Sequence, residues 1–247
     1  MRILGIDAET TGLNFETDEV TELGWIIKDF GDSKPLKMRA EILKVDSKLL
    51  SQEIVDLTGI SEKHLAGGRH FLDIVRELNQ DIINFGVQYI VAHNGENFDK
   101  PFLHAKLRQR SEDPADHVFM QLPWLDTKAD IVFPPRIRST SLTSLAADHG
   151  FLNFQPHAAL FDVATMLKVL ECYDIHKVVE RNKEPWVTIR AMVDYNKKED
   201  AKRRRYFWEN LGDKKFEKCW VKRIKASELD RECKEAPFSV VILEGAK

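Results

Sequence analysis

Apolar positions in the first fifty residues come as short runs and alternations. Ile3, Leu4 and Ile6 form a run that stops at Asp7, as a buried central strand does. Leu23, Trp25 and Ile27 then alternate within 20–28, and Met38, Ala40 and Ile42 alternate within 38–45, with Lys44 continuing that face. Gly31, Asp32, Ser33 and Pro35 separate these two stretches, so a hairpin is expected. Between Gly68 and Gly86 the spacing changes to threes and fours, and Leu72, Val75, Leu78 and Ile82 predict an amphipathic helix. A strand is predicted at 89–92. Helical spacing returns after Asp99 with Phe102, Leu103 and Leu107, again at 142–147, and over 157–173, where Phe161, Ala164, Leu167 and Leu170 are placed toward the core. Strands first, then alternating helices and strands, predict an α/β fold with a mixed sheet covered by helices.

The charged stretch 177–183 ends before Pro185 and reads as a link between a body at 1–176 and a smaller module at 185–247. Within the module, Val187, Ile189, Ala191 and Val193 alternate as a strand. Residues 197–205 read as a basic helix starting at Lys197, and 219–224 and 238–243 as further strands, a small α+β unit. No internal repeat or low-complexity tract interrupts this order.

With 247 residues, 43% of them hydrophobic, the chain can bury one substantial core and a second, smaller one, which excludes fibrous and wholly disordered classes. The net charge of −3 predicts no partner by itself. Its distribution is more informative: residues 1–175 hold 18 basic and 27 acidic side chains, and 176–247 hold 19 and 13. Cys172, Cys219 and Cys233 include no C-x-x-C pair, which fits reduced thiols in a reducing compartment. The opening residues reach Asp7 before a signal-like apolar stretch can form, and no uncharged apolar run approaches the ~20 residues of a membrane span. A soluble intracellular protein with no membrane partner is expected, cytoplasmic, with the nucleus an open alternative.

Asp7 and Glu9 stand two apart at a strand end, so both carboxylates point to one side and can converge. Such a pair repels unless a cation lies between its members. Taken alone it reads as a solvated strand end with two chance acids, and the metal reading needs the other acids. Two further acids sit at helix starts: Asp99 after the strand at 89–92, and Asp162 in the early turns of the 157–173 pattern. His157 precedes Asp162 by five residues, about 140° around a helix axis, so the two cannot stack if both are helical. The histidine is therefore expected in the loop or at the helix mouth.

In order, these residues read Asp7-Ala8-Glu9-Thr10-Thr11-Gly12-Leu13, then His93-Asn94-Gly95-Glu96-Asn97-Phe98-Asp99, then His157-Ala158-Ala159-Leu160-Phe161-Asp162. The set resembles the DEDDh class of 3′→5′ exonucleases, the superfamily of the DNA polymerase III epsilon subunit and the three-prime repair exonucleases. The likeness covers about 1–175 and is supported by Leu57-Thr58-Gly59-Ile60, Asp126-Thr127 and the helix from Ser141 to Leu145. Many members have two residues between the His-Asn and Phe-Asp pairs. Here Gly95, Glu96 and Asn97 make three, which is similar to the three-prime repair exonucleases.

The resemblance implies a ribonuclease H-like sheet and a phosphodiester hydrolase with Asp7, Glu9, Asp99, His157 and Asp162 as catalytic residues. Oxygen-only ligands favour Mg²⁺ or Mn²⁺ over zinc, and two such ions balance four carboxylates. By resemblance, Asp7 bridges both ions, Glu9 and Asp162 complete the first, and Asp99 supports the second. His157 would be the general base, a task suited to a side chain with an unperturbed pKa of about 6.5. Thr10, Thr11, Gly12 and Leu13 would meet the terminal nucleotide, with Leu13 as a wedge, and Asn94 would contact its backbone. Gly12 as a turn former and Leu13 as a core residue remain equal alternatives, and for Asn94 the alternative is only to hold a loop.

The module's stretch 186–225 holds 13 basic and 6 acidic residues interleaved with Trp186, Tyr195, Tyr206, Phe207, Trp208, Phe216 and Trp220, a composition suited to single-stranded nucleic acid. Lys198-Glu199-Asp200-Ala201-Lys202, Trp208 and Lys218-Cys219-Trp220 resemble a small accessory domain found on DNA-processing proteins, and a protein-docking surface is the rival reading. The expected activity is removal of nucleotides from single-stranded or frayed DNA 3′ ends, in repair or proofreading beside a polymerase or repair partner. The alternatives are a 3′→5′ exoribonuclease and a non-catalytic nucleic-acid or polymerase-binding subunit.

Overall fold

The computed structural model, which describes residues 1–194, 198–210 and 218–243, builds the first unit, Met1–Asn182, around a strand buried on both faces. In β1 (Arg2–Thr10), Leu4, Ile6 and Ala8 enter one core and Ile3 the other, so the strand reads as a continuous apolar run. Antiparallel β2 (Val20–Asp29) flanks it, with β3 (Lys37–Ile42) at the edge. The chain continues through α1 (Gln52–Thr58), α2 (Glu62–Ala66) and α3 (Phe71–Phe85) to β4 (Tyr89–Ala92), which pairs parallel with β1. Then come α4 (Asp99–Gln109), α5 (Val118–Gln121) and β5 (Trp124–Asp126), parallel to β4, followed by α6 (Leu142–Asp148), α7 (Ala159–Leu170) and α8 (Ile175–Asn182). The mixed sheet has the order β3-β2-β1-β4-β5, with helices on both faces.

Helix α3 covers one face because Ile74, Val75, Leu78 and Ile82 fall on one side of it, all 2% exposed or less, and it ends at Gly86 with φ 63°. Beneath it Trp25 is fully buried and its indole Nε1–H donates to Asp81 Oδ2 at 3.1 Å. Each fully buried side chain of this kind contributes about 1.5–3 kcal/mol. On the other face α7 lies close to β1 and β2. A Cβ at Gly24 would stand 2.8 Å from the backbone of Ala159, so glycine there is what lets the helix start descend onto the sheet.

This close approach sets the rotation of α7. Val163, Met166, Leu167 and Leu170 are buried, whereas Phe161 and Ala164, expected in the core, are exposed. The helix also starts at Ala159, two residues later than the apolar pattern suggests. In β3, Met38 and Ala40 are exposed, and the opposite side chains Arg39 and Glu41 face α3, where Arg39 pairs with Glu77 and lies 5.9 Å from the Trp25 ring centroid. The charged stretch expected to be a link is helical: α8 buries Ile175, Val178 and Val179 against the second core and turns its charges outward.

The second unit, Lys183–Lys247, contains β6 (Trp186–Met192), α9 (Lys198–Arg203), β7 (Phe207–Glu209), β8 (Cys219–Lys225), α10 (Leu229–Glu235) and β9 (Ser239–Ile242). Its antiparallel sheet has the order β7-β8-β6-β9. Ile189, Ala191, Ala201, Tyr206 and Ile224 form its core. Tyr195, Lys197 and Phe216 lie outside the described residues. Among the described residues no helix is long and apolar enough to cross a membrane, and the three cysteines are free.

Candidate active site

Antiparallel register sets Glu9 opposite Glu22, and Asp7 two residues back points to the same face of β1, the face that α7 covers. Asp162 enters from the first turn of α7. Ligand atoms of Glu9, Asp162 and His157 lie within 4.8 Å of one another. Asp7 and Asp99 stand outside that tight group but line the same cleft of about 290 Å³. Asp99 opens α4 and is 2% exposed, and its Oδ1 accepts the Ala8 N–H at 3.0 Å, which ties the start of α4 to β1.

Burial, followed by the charges of Asp99, Glu9, Asp162 and Glu22, pushes the Asp7 carboxyl well above its usual range. Glu9 is pushed up to about 8, by burial and then by Asp162, Glu22 and Asp99. Burial raises Asp99 to about 7 against the lowering effect of its backbone hydrogen bonds. Asp162 is raised by burial and pulled back by Asn153 and His157. Burial is the largest cause of each shift, and at Asp7 and Glu9 the charges of the neighbouring carboxylates add to it. Among the described residues no lysine or arginine lines the cleft. Oxygen donors of this kind fit hard divalent cations.

His157 is exposed, sits just ahead of α7 with φ 63°, and donates its backbone N–H to Asp162 Oδ2 at 3.2 Å. Thr10 and Thr11 are buried; the Thr10 hydroxyl donates to Gly12 O at 2.5 Å, and the Thr11 hydroxyl accepts the Glu19 N–H at 3.0 Å. Of the four turn residues, Thr10, Gly12 and Leu13 line the cleft and Thr11 does not. A Cβ at Gly12 would lie 2.4 Å from Asp18 Oδ2, so a larger residue there would have to move that carboxylate, which accepts the Asn14 N–H at 2.8 Å. Leu13 is 83% exposed at the rim. Asn94 adopts φ 68° and donates its N–H to Asp126 Oδ1 at 2.9 Å.

Glu22 and Asn153 escape sequence reasoning, and so do the roles, though not the presence, of Asp126 and His93. Glu22 Oε2 accepts the Ala159 N–H at 2.9 Å and so caps α7 from the neighbouring strand, in place of its own N-cap residue Ala158, which has no side-chain oxygen. Asn153 donates from Nδ2 to Asp162 Oδ1. Asp126 accepts N–H groups of Asn94, Glu96, Lys128 and Ala129 and thereby shapes the loop between β4 and α4. His93 Nε2 faces Thr140 O and Nδ1 faces Thr127 Oγ1, each at 2.8 Å, and burial lowers its pKa. A carbonyl only accepts, so Nε2 carries the proton of a neutral ring that ties three loops together.

Residues 4–170 match the Exonuclease (RNase_T) family model. The chain belongs to this exonuclease family and is a nuclease enzyme whose fold is that of ribonuclease H-like exonucleases of the DEDDh type. DNA polymerase III PolC-type from Thermotoga petrophila is 29% identical over 164 residues, 66% of this chain but 11% of that protein. DNA polymerase III subunit epsilon from Treponema pallidum is 27% identical over 171 residues, 69% of this chain and 75% of that one. The chain therefore spans only a tenth of the PolC-type relatives. Among solved structures, E. coli Exonuclease I in complex with a dT13 oligonucleotide superposes with TM-score 0.58 at 16% identity, covering 77% of this chain and 48% of that one. The nuclease domain of 3′hExo bound to rAMP gives 0.59 at 16%, covering 69% and 90%.

Proposed function

We propose that the chain is a divalent-metal-dependent 3′→5′ exodeoxyribonuclease that releases 5′ mononucleotides from single-stranded or frayed DNA 3′ ends. The observation that carries this reading is the gathering of four acidic side chains, with His93 and His157, around a single cleft that no lysine or arginine among the described residues lines. Asp7, Glu9, Asp99 and Asp162 would hold two ions, Mg²⁺ or Mn²⁺. Bound there, the ions would offset the carboxylate and phosphate charges and stabilise the charge that develops in the displacement. His157, exposed beside Glu9 and Asp162, takes a proton onto an imidazole nitrogen from the attacking water. The water oxygen bonds to phosphorus, the bond from phosphorus to the 3′ oxygen breaks, that oxygen takes a proton from solvent water, and the His157 imidazolium returns its proton to solvent. The products are a 5′ monophosphate and a strand one nucleotide shorter.

The cleft is at the small end of the ~300–1,000 Å³ typical of ligand sites, which suits one terminal nucleotide separated from its partner strand. Leu13 at the rim is positioned to pack on a terminal base, and Asn94 to contact its backbone. The relatives named as DNA polymerase III chains support DNA as substrate and a polymerase or repair complex as partner. The neighbour bound to rAMP keeps an exoribonuclease in view as the second reading. The test uses 5′-labelled single-stranded DNA and the matched RNA, each with Mg²⁺ or with chelator. The reading expects a one-nucleotide ladder on DNA that requires metal and disappears in Asp7→Asn. Faster digestion of RNA favours the second reading, and absence of any ladder on either strand refutes both.

A further inference from the structure

We infer that the second unit carries a stacking site for unpaired DNA, built from Trp208 and Trp220 with Lys198 and Lys202. The nuclease reading above supplies only the identity of the strand. Trp208 on edge strand β7 pairs directly with Trp220 on β8, so both side chains stand on one face of the sheet. Their ring centroids are 5.3 Å apart with planes inclined at 55°. Trp208 is 55% exposed, although residues this large and apolar are ordinarily well covered. Helix α9 stands beside the pair, and Lys198 and Lys202, one turn apart, share a face of it. The two tryptophans, the two lysines, Val193 and Asp194 enclose a cleft of about 510 Å³.

The exposed Trp208 indole, backed by the half-buried Trp220 and beside ammonium groups, matches the two halves of a nucleotide. The base stacks on indole and the phosphate meets the lysines. Lys202 is held by Glu199 at 2.8 Å, but both ends of that pair are more than half exposed, so a phosphate can displace it at little cost. Excess positive charge over 186–225 adds sequence-independent attraction for a phosphate backbone. An apolar peptide would bring no anion to the cleft, and an acidic one would leave the exposed Trp208 indole uncovered. A second grip on unpaired strand would hold a substrate between successive cleavages at the catalytic cleft.

The test measures binding of a fluorescent single-stranded 30-mer to the full chain by anisotropy in chelator, so that nothing is cleaved. Hydrolysis of a DNA dinucleotide, too short to use a second site, is measured in parallel with metal. Loss of one stacked base at about 1–3 kcal/mol predicts that Trp208→Ala weakens 30-mer binding about 5- to 140-fold. Dinucleotide hydrolysis should remain at the wild-type rate. Lys202→Ala should reduce the slope of log affinity against log salt by about one, a readout that does not depend on the tryptophan variant folding. Wild-type 30-mer affinity in Trp208→Ala, or an unchanged salt slope in Lys202→Ala, overturns the site and marks the face as one for a protein. Failure of the wild-type chain to hydrolyse the dinucleotide would instead count against the nuclease reading.

Discussion

Replacing Glu9 with Gln removes one charge from the acidic cluster while keeping the side chain's size. Burial and three neighbouring carboxylates push Glu9 up to about 8, from 4.5 for the exposed group. The folded chain thus holds this proton more tightly than the unfolded chain does. Stability contributed by the protonated form is therefore present below pH 4.5 and is lost as pH rises toward 8. At about 1.36 kcal/mol per pH unit, holding this carboxyl protonated costs metal-free protein about 3 kcal/mol at pH 7, and its ionised form costs about 5 kcal/mol above pH 8. Glu9→Gln escapes this cost. In chelator, thermal unfolding of the variant should occur about 6–12 °C above wild type at pH 7, given about 2–4 °C per kcal/mol for a unit of this size. At pH 5 the gap should shrink below about 1 kcal/mol. Divalent cation should close the gap from the other side by stabilising wild type more than the variant, and the variant should not digest DNA. A variant no more stable than wild type at pH 8.5 would refute the reasoning that burial, with like-charge crowding added to it, disfavours the ionised Glu9.

Three further outcomes follow from single contacts. Glu22→Ala removes the acceptor for the Ala159 N–H and should cost about 0.5–2 kcal/mol, as cap loss does, and lower kcat, whereas Glu22→Gln keeps an acceptor and should recover most of both. Asp126→Ala removes the acceptor of the Asn94, Glu96 and Lys128 backbone N–H groups, while the Ala129 N–H keeps the carbonyl of residue 126, and each N–H left buried and unpaired costs about 1–3 kcal/mol, so denaturant unfolding should show a loss of several kcal/mol. His157→Ala should lower hydrolysis on the order of 10²–10⁴-fold while calorimetric Mn²⁺ binding changes little, and full activity in this variant would remove the histidine from its role as base.

The sheet and its covering helices are legible in sequence because periods of two and of three to four are local signals. Leu23, Trp25 and Ile27 mark β2, and Val75, Leu78 and Ile82 mark α3. Harder to read is a strand buried on both faces. The same alternation that marks Leu23, Trp25 and Ile27 hides Glu22 and Gly24 on the opposite face, where they meet the start of α7. Only register between two strands reveals that Glu22 faces Glu9, and register is not written in any short window. Helix α7 is rotated by its contact with Gly24, so Phe161 and Ala164 could not be placed from spacing alone. Strand β5 is three residues long, too short for periodicity, and α8 is masked by charge at 176–177 and 180–181. Asn153 lies in a loop with no period at all. Acidic residues at a strand end and at two helix starts were visible; the donors that aim them were not.

The account's central claim is that Asp7, Glu9, Asp99 and Asp162 together hold divalent cations. Anomalous scattering from crystals grown or soaked in Mn²⁺ tests it most directly. The account predicts two manganese peaks in the cleft, each in contact with carboxylate oxygens of this set, and loss of both in Asp7→Asn. Peaks confined to other surfaces, or a cleft without manganese in well-ordered crystals, would contradict it.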